Sequence, residues 1–198
     1  MFKSILVLES PWDSESVESI SVWPFVSEFA KVMNIRAYHQ VFSGRDSFIH
    51  WIDVYNEEPG DAKLLYIASH GTNGRIQGLQ RDINGNTIIE TLRKTKQIKY
   101  IHFGSCFFGS EENLTLLLKK ARHITWAAGY ETAVDWLDST LFDILLWRHI
   151  ARQDKRGVKF HTRAEMVMDV GLAKYLGFRF QYRRGSAIWS LFTDPWAD

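Results

Sequence analysis

Leu64-Leu65-Tyr66-Ile67-Ala68-Ser69-His70-Gly71 and Ile98-Lys99-Tyr100-Ile101-His102-Phe103-Gly104-Ser105-Cys106 decide how this chain is read. Each is an apolar run of strand length that ends in small residues and a reactive side chain. Between them lie a glycine-rich polar stretch and a short segment of helical period, residues 87–94. Strands joined through a helix run parallel, and their carboxyl ends share the sheet edge where sites form. That topology brings the His70 imidazole to the Cys106 thiol, the minimum equipment of a cysteine nucleophile.

The same alternation extends to both sides. Residues 3–8 read as a buried strand, and residues 9–21, with Pro11, as a loop. Val22, Phe25, Val26, Phe29, Ala30 and Met33 give residues 22–33 a helical period. Residues 36–42 form a second strand and 46–55 a helix, stopped by Glu58-Pro59-Gly60-Asp61. Residues 63–69 are the third strand. The polar stretch 71–85 contains Ile76-Gln77-Gly78-Leu79, a small hairpin candidate. After the fourth strand, 98–105, Ser110 caps a helix whose first turn holds Glu111 and Glu112. A fifth strand at 124–128, a long amphipathic helix at 134–152, a basic connector at 153–162, a helix at 164–176 and a final strand at 187–192 complete the pattern. The expected class is α/β with a mostly parallel sheet, in one domain spanning residues 1–198.

Composition narrows the function classes. The chain has 198 residues, 45% hydrophobic and 24% charged, which suits one globular domain with a sizeable core. A net charge of +1 gives no hint of a polyanionic partner. One cysteine excludes an intrachain disulfide and fits a reducing compartment, so a cytoplasmic protein is expected. The amino-terminal apolar run reads as a strand rather than a signal peptide, and no run has the length of a membrane span. Eight Trp and 13 Phe are read first as core, with an aromatic pocket or partner surface as the other reading.

Ile67-Ala68-Ser69-His70-Gly71 followed by Phe103-Gly104-Ser105-Cys106, with Cys106 36 positions after His70, resembles the cysteine peptidases of the caspase-like clan. The short spacing is closer to the CHAT, gingipain and separase-like branches of that clan, and so to small bacterial members, than to animal caspases. Residues 71–87 look like the loop and hairpin that follow the histidine in CHAT domains. Ile124-Thr125-Trp126-Ala127-Ala128-Gly129-Tyr130, with Asp138, Ser139 and Phe142, looks like their fifth strand and next helix. The resemblance covers residues 60–150 and implies a three-layer caspase-like fold with helices on both faces of the sheet. It implies a cysteine endopeptidase working through an acyl-enzyme, with no metal or organic cofactor. Cys106 would be the nucleophile and His70 the general base and acid. The amides of Gly71 and Cys106 would hold the oxyanion, and Ser105 stands where Ala is commoner. The substrate would be a polypeptide. The resemblance permits a role in bacterial defence or controlled cell death, regulated by a protein partner or a homodimer.

Other residues carry competing readings. Glu131, Asp135 and Asp138 follow the fifth strand and either select a basic substrate residue or are ordinary acids near a helix start. His102 is read as structural rather than as a metal ligand with His70 and Cys106, because such sites usually add cysteines or carboxylates. Arg148, Arg152, Lys155, Arg156, Lys159, His161 and Arg163 form one basic cluster, and Lys174, Arg179, Arg183 and Arg184 another. Both are expected to be solvated faces, with an acidic or nucleotide partner as the alternative. The connector 153–162 doubles as a candidate self-cleavage loop. Two rival functions stay open, a non-catalytic signalling module of the same fold and a flavodoxin-like phosphate-binding domain. The second lacks a Gly-x-Gly-x-x-Gly or Walker pattern.

Overall fold

The computed structural model describes residues 2–11, 20–60, 62–72, 74–151 and 171–191. Its strands are β1 (Ser4–Glu9), β2 (Arg36–Val41), β3 (Lys63–Ala68), β4 (Gly71–Thr72), β5 (Arg75–Ile76), β6 (Ile83–Asn84), β7 (Ile98–Phe103), β8 (Trp126–Tyr130), β9 (Phe178–Arg184) and β10 (Ala187–Ser190). Its helices are α1 (Trp23–Met33), α2 (Arg45–Glu57), α3 (Gly85–Lys94), α4 (Glu111–Lys120), α5 (Trp136–Ala151) and α6 (Leu172–Tyr175). Seven strands form one sheet in the order β2-β1-β3-β7-β8-β9-β10. Neighbours from β2 to β8 are parallel, while β9 and β10 run antiparallel.

Burial follows position in the sheet. Every residue of β1 and β3 is buried, as central strands covered on both faces require. Edge strand β2 contains no fully buried residue. Alternate side chains then build two cores. Ile5, Val7, Leu64, Tyr66, Trp126, Ala128 and Tyr130 pack with Val26 and Phe29 of α1 and Phe142, Leu146 and Trp147 of α5. Leu6, Leu8, Leu65, Ile67, Ile101, Phe103 and Ala127 pack on the other face with side chains of α2, α3 and α4. The result is a three-layer α/β fold with a largely parallel central sheet between helices.

The carboxyl half departs from the sequence expectation. Periodicity placed a single final strand at 187–192, whereas the sheet also holds β9, whose arginines had suggested a basic face. Phe178, Phe180 and Tyr182 point into the α5-side core. Arg179 pairs with Glu131 at 2.5 Å, and the Arg183 guanidinium donates to the Leu118 carbonyl. The expected hairpin at 76–79 is instead a three-stranded sheet, β4-β5-β6, in which Gly71 faces Ile76 and Ile76 faces Ile83. The connector 153–162, most of the expected helix 164–176, and Arg152, Lys155, Arg156, Lys159, His161 and Arg163 lie outside the described residues.

Lys63 shows how a buried charge is tolerated at the other end of β3. Its ammonium donates to the carbonyls of Tyr55 (2.5 Å), Asn56 (3.0 Å) and Glu58 (2.6 Å) at the carboxyl end of α2, where orphan carbonyls and the helix dipole favour a cation. Lys63→Met keeps the stem but leaves those carbonyls without their donor. It is expected to cost about 1–3 kcal/mol, read by urea unfolding.

Candidate active site

Ile67 on β3 lies opposite Phe103 on β7, so both strands leave the sheet at the same edge. The Gly104 N–H donates to the Ile67 carbonyl at 2.8 Å. Next, the buried Ser69 and Ser105 hydroxyls meet at 3.2 Å. One step further, Gly71 lies directly on Cys106: a Cβ there would sit 2.2 Å from the Cys106 carbonyl oxygen and 3.1 Å from Ser105 Cβ. His70, between Ser69 and Gly71, is therefore held at the strand end beside Cys106. Its carbonyl is fixed by the Gln77 N–H at 2.8 Å and by the Ser69 hydroxyl at 3.1 Å. His70 is exposed and Cys106 half-buried.

The chain then turns sharply. Phe107, directly after Cys106, has φ of 61°, a region costly for a bulky residue. The Phe108 N–H closes back on the Cys106 carbonyl at 2.7 Å, giving the i to i+2 pattern of a γ-turn. Phe108 drops into the core against Phe103, with ring centroids 4.5 Å apart, and the Gly109 N–H donates to Tyr130 at 2.9 Å. These contacts hold a strained turn with Cys106 at its shoulder, as functional sites often do. A branched side chain tolerates this φ worst and Asn well. Phe107→Val is accordingly expected to be less stable than Phe107→Asn by about 1–2 kcal/mol, measured by thermal unfolding of both.

The thiol faces the loop 131–135, between β8 and α5. The Val134 N–H donates to Cys106 Sγ at 3.4 Å, and the Val134 carbonyl lies 3.8 Å from the sulfur. Thr132 accepts the Phe107 N–H at 3.3 Å. Among the described residues no backbone acceptor takes the Cys106 N–H. Helix α4 begins beyond Phe107, Phe108 and Gly109, with Ser110 Oγ accepting the Asn113 N–H at 3.3 Å.

The three acids differ in their commitments. Glu131 is paired with Arg179. Asp135 uses Oδ1 to accept the N–H groups of Leu137 (2.8 Å) and Asp138 (3.1 Å), capping the start of α5. Asp138 is exposed, and its carboxylate has no partner among the described residues. Ser105 is fully buried, its hydroxyl turned to Ser69 and the Ile67 carbonyl.

Beneath this surface lies a buried polar cluster. Asp143 of α5 accepts the Tyr66 hydroxyl at 2.7 Å on Oδ2 and the Tyr130 hydroxyl at 2.5 Å on Oδ1. His102 Nε2 approaches Oδ1 at 2.8 Å, out of line for a strong hydrogen bond. His102 Nδ1 accepts the Trp147 indole N–H at 2.9 Å, which leaves the imidazole proton on Nε2. Burial, then the Asp143 charge, pushes the Tyr66 and Tyr130 phenols well above their ordinary range, so both remain donors. His102 is thus a fully buried core histidine, hydrogen-bonded through Nδ1 and with Nε2 close to Asp143. Among the described residues no cluster of three His, Cys, Asp or Glu side chains could hold a metal, and no helix is long and apolar enough to cross a membrane.

Val134, Phe107, Tyr130 and Asp143 were not marked as site residues by the sequence. Val134 acts through its backbone, and a phenylalanine gives no sign of a left-handed turn. Asp143 carried a weak signal, as an acid on the apolar side of an amphipathic helix.

No protein-family model matches the chain, and no curated protein matches it in sequence. Its structure is similar to that of a secreted C11 cysteine protease from Bacteroides thetaiotaomicron, solved in complex with an irreversible peptide inhibitor. The TM-score is 0.55 at 12% identity, over 91% of this chain. The chain spans 66% of that protein's length. At this identity the likeness establishes the shared fold.

Proposed function

We propose that the chain is a cysteine endopeptidase with Cys106 as nucleophile and His70 as its general base and acid. The observation that supports this reading is the packing of Gly71 on the Cys106 carbonyl, which brings together the two strand ends that carry His70 and Cys106. His70 takes the thiol proton, and Sγ forms a bond to the substrate carbonyl carbon. The resulting oxyanion is received by the uncommitted Cys106 N–H and by the Gly71 amide. As the carbon–nitrogen bond breaks, His70 returns the proton to the leaving amine. Water, deprotonated by His70, then splits the thioester and restores the thiol. Val134 steadies the position of the sulfur by its N–H. The fold likeness to a C11 cysteine protease supports the reading.

The preferred residue before the cut is basic. Asp135 adjoins the amide that touches the sulfur, and Asp138 presents an uncommitted carboxylate one turn on, whereas Glu131 is already neutralised by Arg179. Fluorogenic peptides varied at that one position test both statements. Arg or Lys peptides are expected to be cleaved at least about tenfold faster than Asp peptides, and the preference to shrink in Asp138→Asn or Asp135→Asn. Equal cleavage of Arg and Asp peptides would remove the basic specificity, and no cleavage of any peptide would remove the peptidase.

A further inference from the structure

Tyr130 is the last residue of β8, and Asp143 lies two turns into α5. The loop 131–135 joins these elements and delivers the Val134 N–H to Cys106 Sγ and the Thr132 carbonyl to the Phe107 N–H. Both ends of the loop are fastened together at its base. The Tyr130 hydroxyl reaches Asp143 Oδ1 at 2.5 Å, and its oxygen lies 3.1 Å from the Ser139 carbonyl. The other carboxylate oxygen holds Tyr66, and Tyr66 lies against Gly104: a Cβ on Gly104 would come within 2.5 Å of the Tyr66 hydroxyl oxygen. Gly104 is two residues before Cys106. One buried carboxylate therefore contacts both approaches to the thiol, from β7 through Tyr66 and from the loop through Tyr130. Asp143 and Ser139 are fully or nearly fully buried, so solvent cannot substitute for the missing partners if the cluster is broken.

We infer that Asp143 is a positioning residue, which through Tyr130 and Tyr66 fixes the loop 131–135 and the Gly104–Cys106 turn so that the thiol is held in its reactive orientation. The inference deepens the peptidase reading and rests on Cys106 being its nucleophile. Asp143 touches neither substrate nor sulfur. Its effect is geometric: a displacement of order 1 Å at a reacting atom can cost about a hundredfold in rate.

Tyr130→Phe removes the fastening hydroxyl and keeps the ring, and Asp143→Asn keeps the volume. Ile52→Val in the opposite core is the control for lost stability without a change at the cluster. Two readouts are taken well below each variant's unfolding temperature. The first is kcat and KM on the best peptide. The second is the alkylation rate of the single cysteine by iodoacetamide at fixed pH, which needs no substrate. Both cluster variants are expected to lose about tenfold or more in kcat with KM little changed, and to alkylate at a clearly different rate from the parent and from Ile52→Val. Unchanged kcat and alkylation in either folded cluster variant would overturn the inference. If Asp143→Asn does not fold, Tyr130→Phe and Tyr66→Phe decide by the same readouts. A parent that cleaves no peptide, with alkylation still altered in the variants, would overturn the peptidase reading and leave thiol positioning intact.

Discussion

Cys106→Ala is expected to abolish the proposed peptide hydrolysis and to leave the fold in place. The thiol is half-buried, and its contacts are a weak sulfur hydrogen bond from Val134 and a longer one to the Val134 carbonyl. Losing them is expected to change stability by no more than about 1 kcal/mol. The chemistry has no substitute nucleophile, because this is the only cysteine and the neighbouring Ser105 hydroxyl is buried and turned to Ser69. Activity should therefore fall to background. His70→Ala should lose about 10²–10⁴-fold, the usual worth of a positioned proton carrier. Circular dichroism and peptide assays on the same samples separate loss of chemistry from loss of structure. A Cys106→Ala protein that still cleaves would place the nucleophile elsewhere.

Gly71→Ala is expected to damage activity severely through one added methyl group. A Cβ at this position meets the Cys106 carbonyl oxygen at 2.2 Å and Ser105 Cβ at 3.1 Å. Neither is the free end of a flexible side chain, so the two strand ends must move apart. The displacement falls on His70 and on the turn whose geometry is set by the Phe108-to-Cys106 hydrogen bond. In the proposed mechanism hydrolysis depends on the approach of imidazole, sulfur and oxyanion donors, so the expected loss is about a hundredfold or more in kcat/KM. Most of the sheet lies outside the contact, so the protein should still fold, with unfolding free energy lowered by about 1–3 kcal/mol for the forced overlap. Full activity in Gly71→Ala would show that the spacing between these strand ends is not what the chemistry requires.

The sequence made the central strands legible because β1, β3 and β7 are six-residue, largely apolar segments followed by punctuation, and their order with intervening helical periods leaves a parallel sheet as the simple solution. His70 and Cys106 were visible for the same reason: each lies within a few residues of a strand end. The carboxyl half was harder. Phe178, Phe180 and Tyr182 alternate at a strand period, but Arg179 and Arg183 between them read as part of a basic face, and the partners of Arg179, Gln181 and Arg183, namely Glu131, Thr115 and the Leu118 carbonyl, are distant in sequence. The sulfur's contact with Val134 is made by backbone, which side-chain identity cannot announce. The Asp143 cluster joins four elements, β3, β7, β8 and α5, and only the assembled fold shows that two phenols and an imidazole converge on it.

Activation of the thiol at residue 106 by an imidazole at residue 70 is the step on which the proposed hydrolysis depends. Its most direct test is intact-mass analysis after incubation with an Arg-ending peptidyl acyloxymethyl ketone, comparing the parent with His70→Ala and Cys106→Ala. One adduct is expected on the parent, mapped to Cys106, formed much more slowly in His70→Ala and absent in Cys106→Ala. No adduct on the folded parent, or labelling of His70→Ala at the parent's rate, would contradict it.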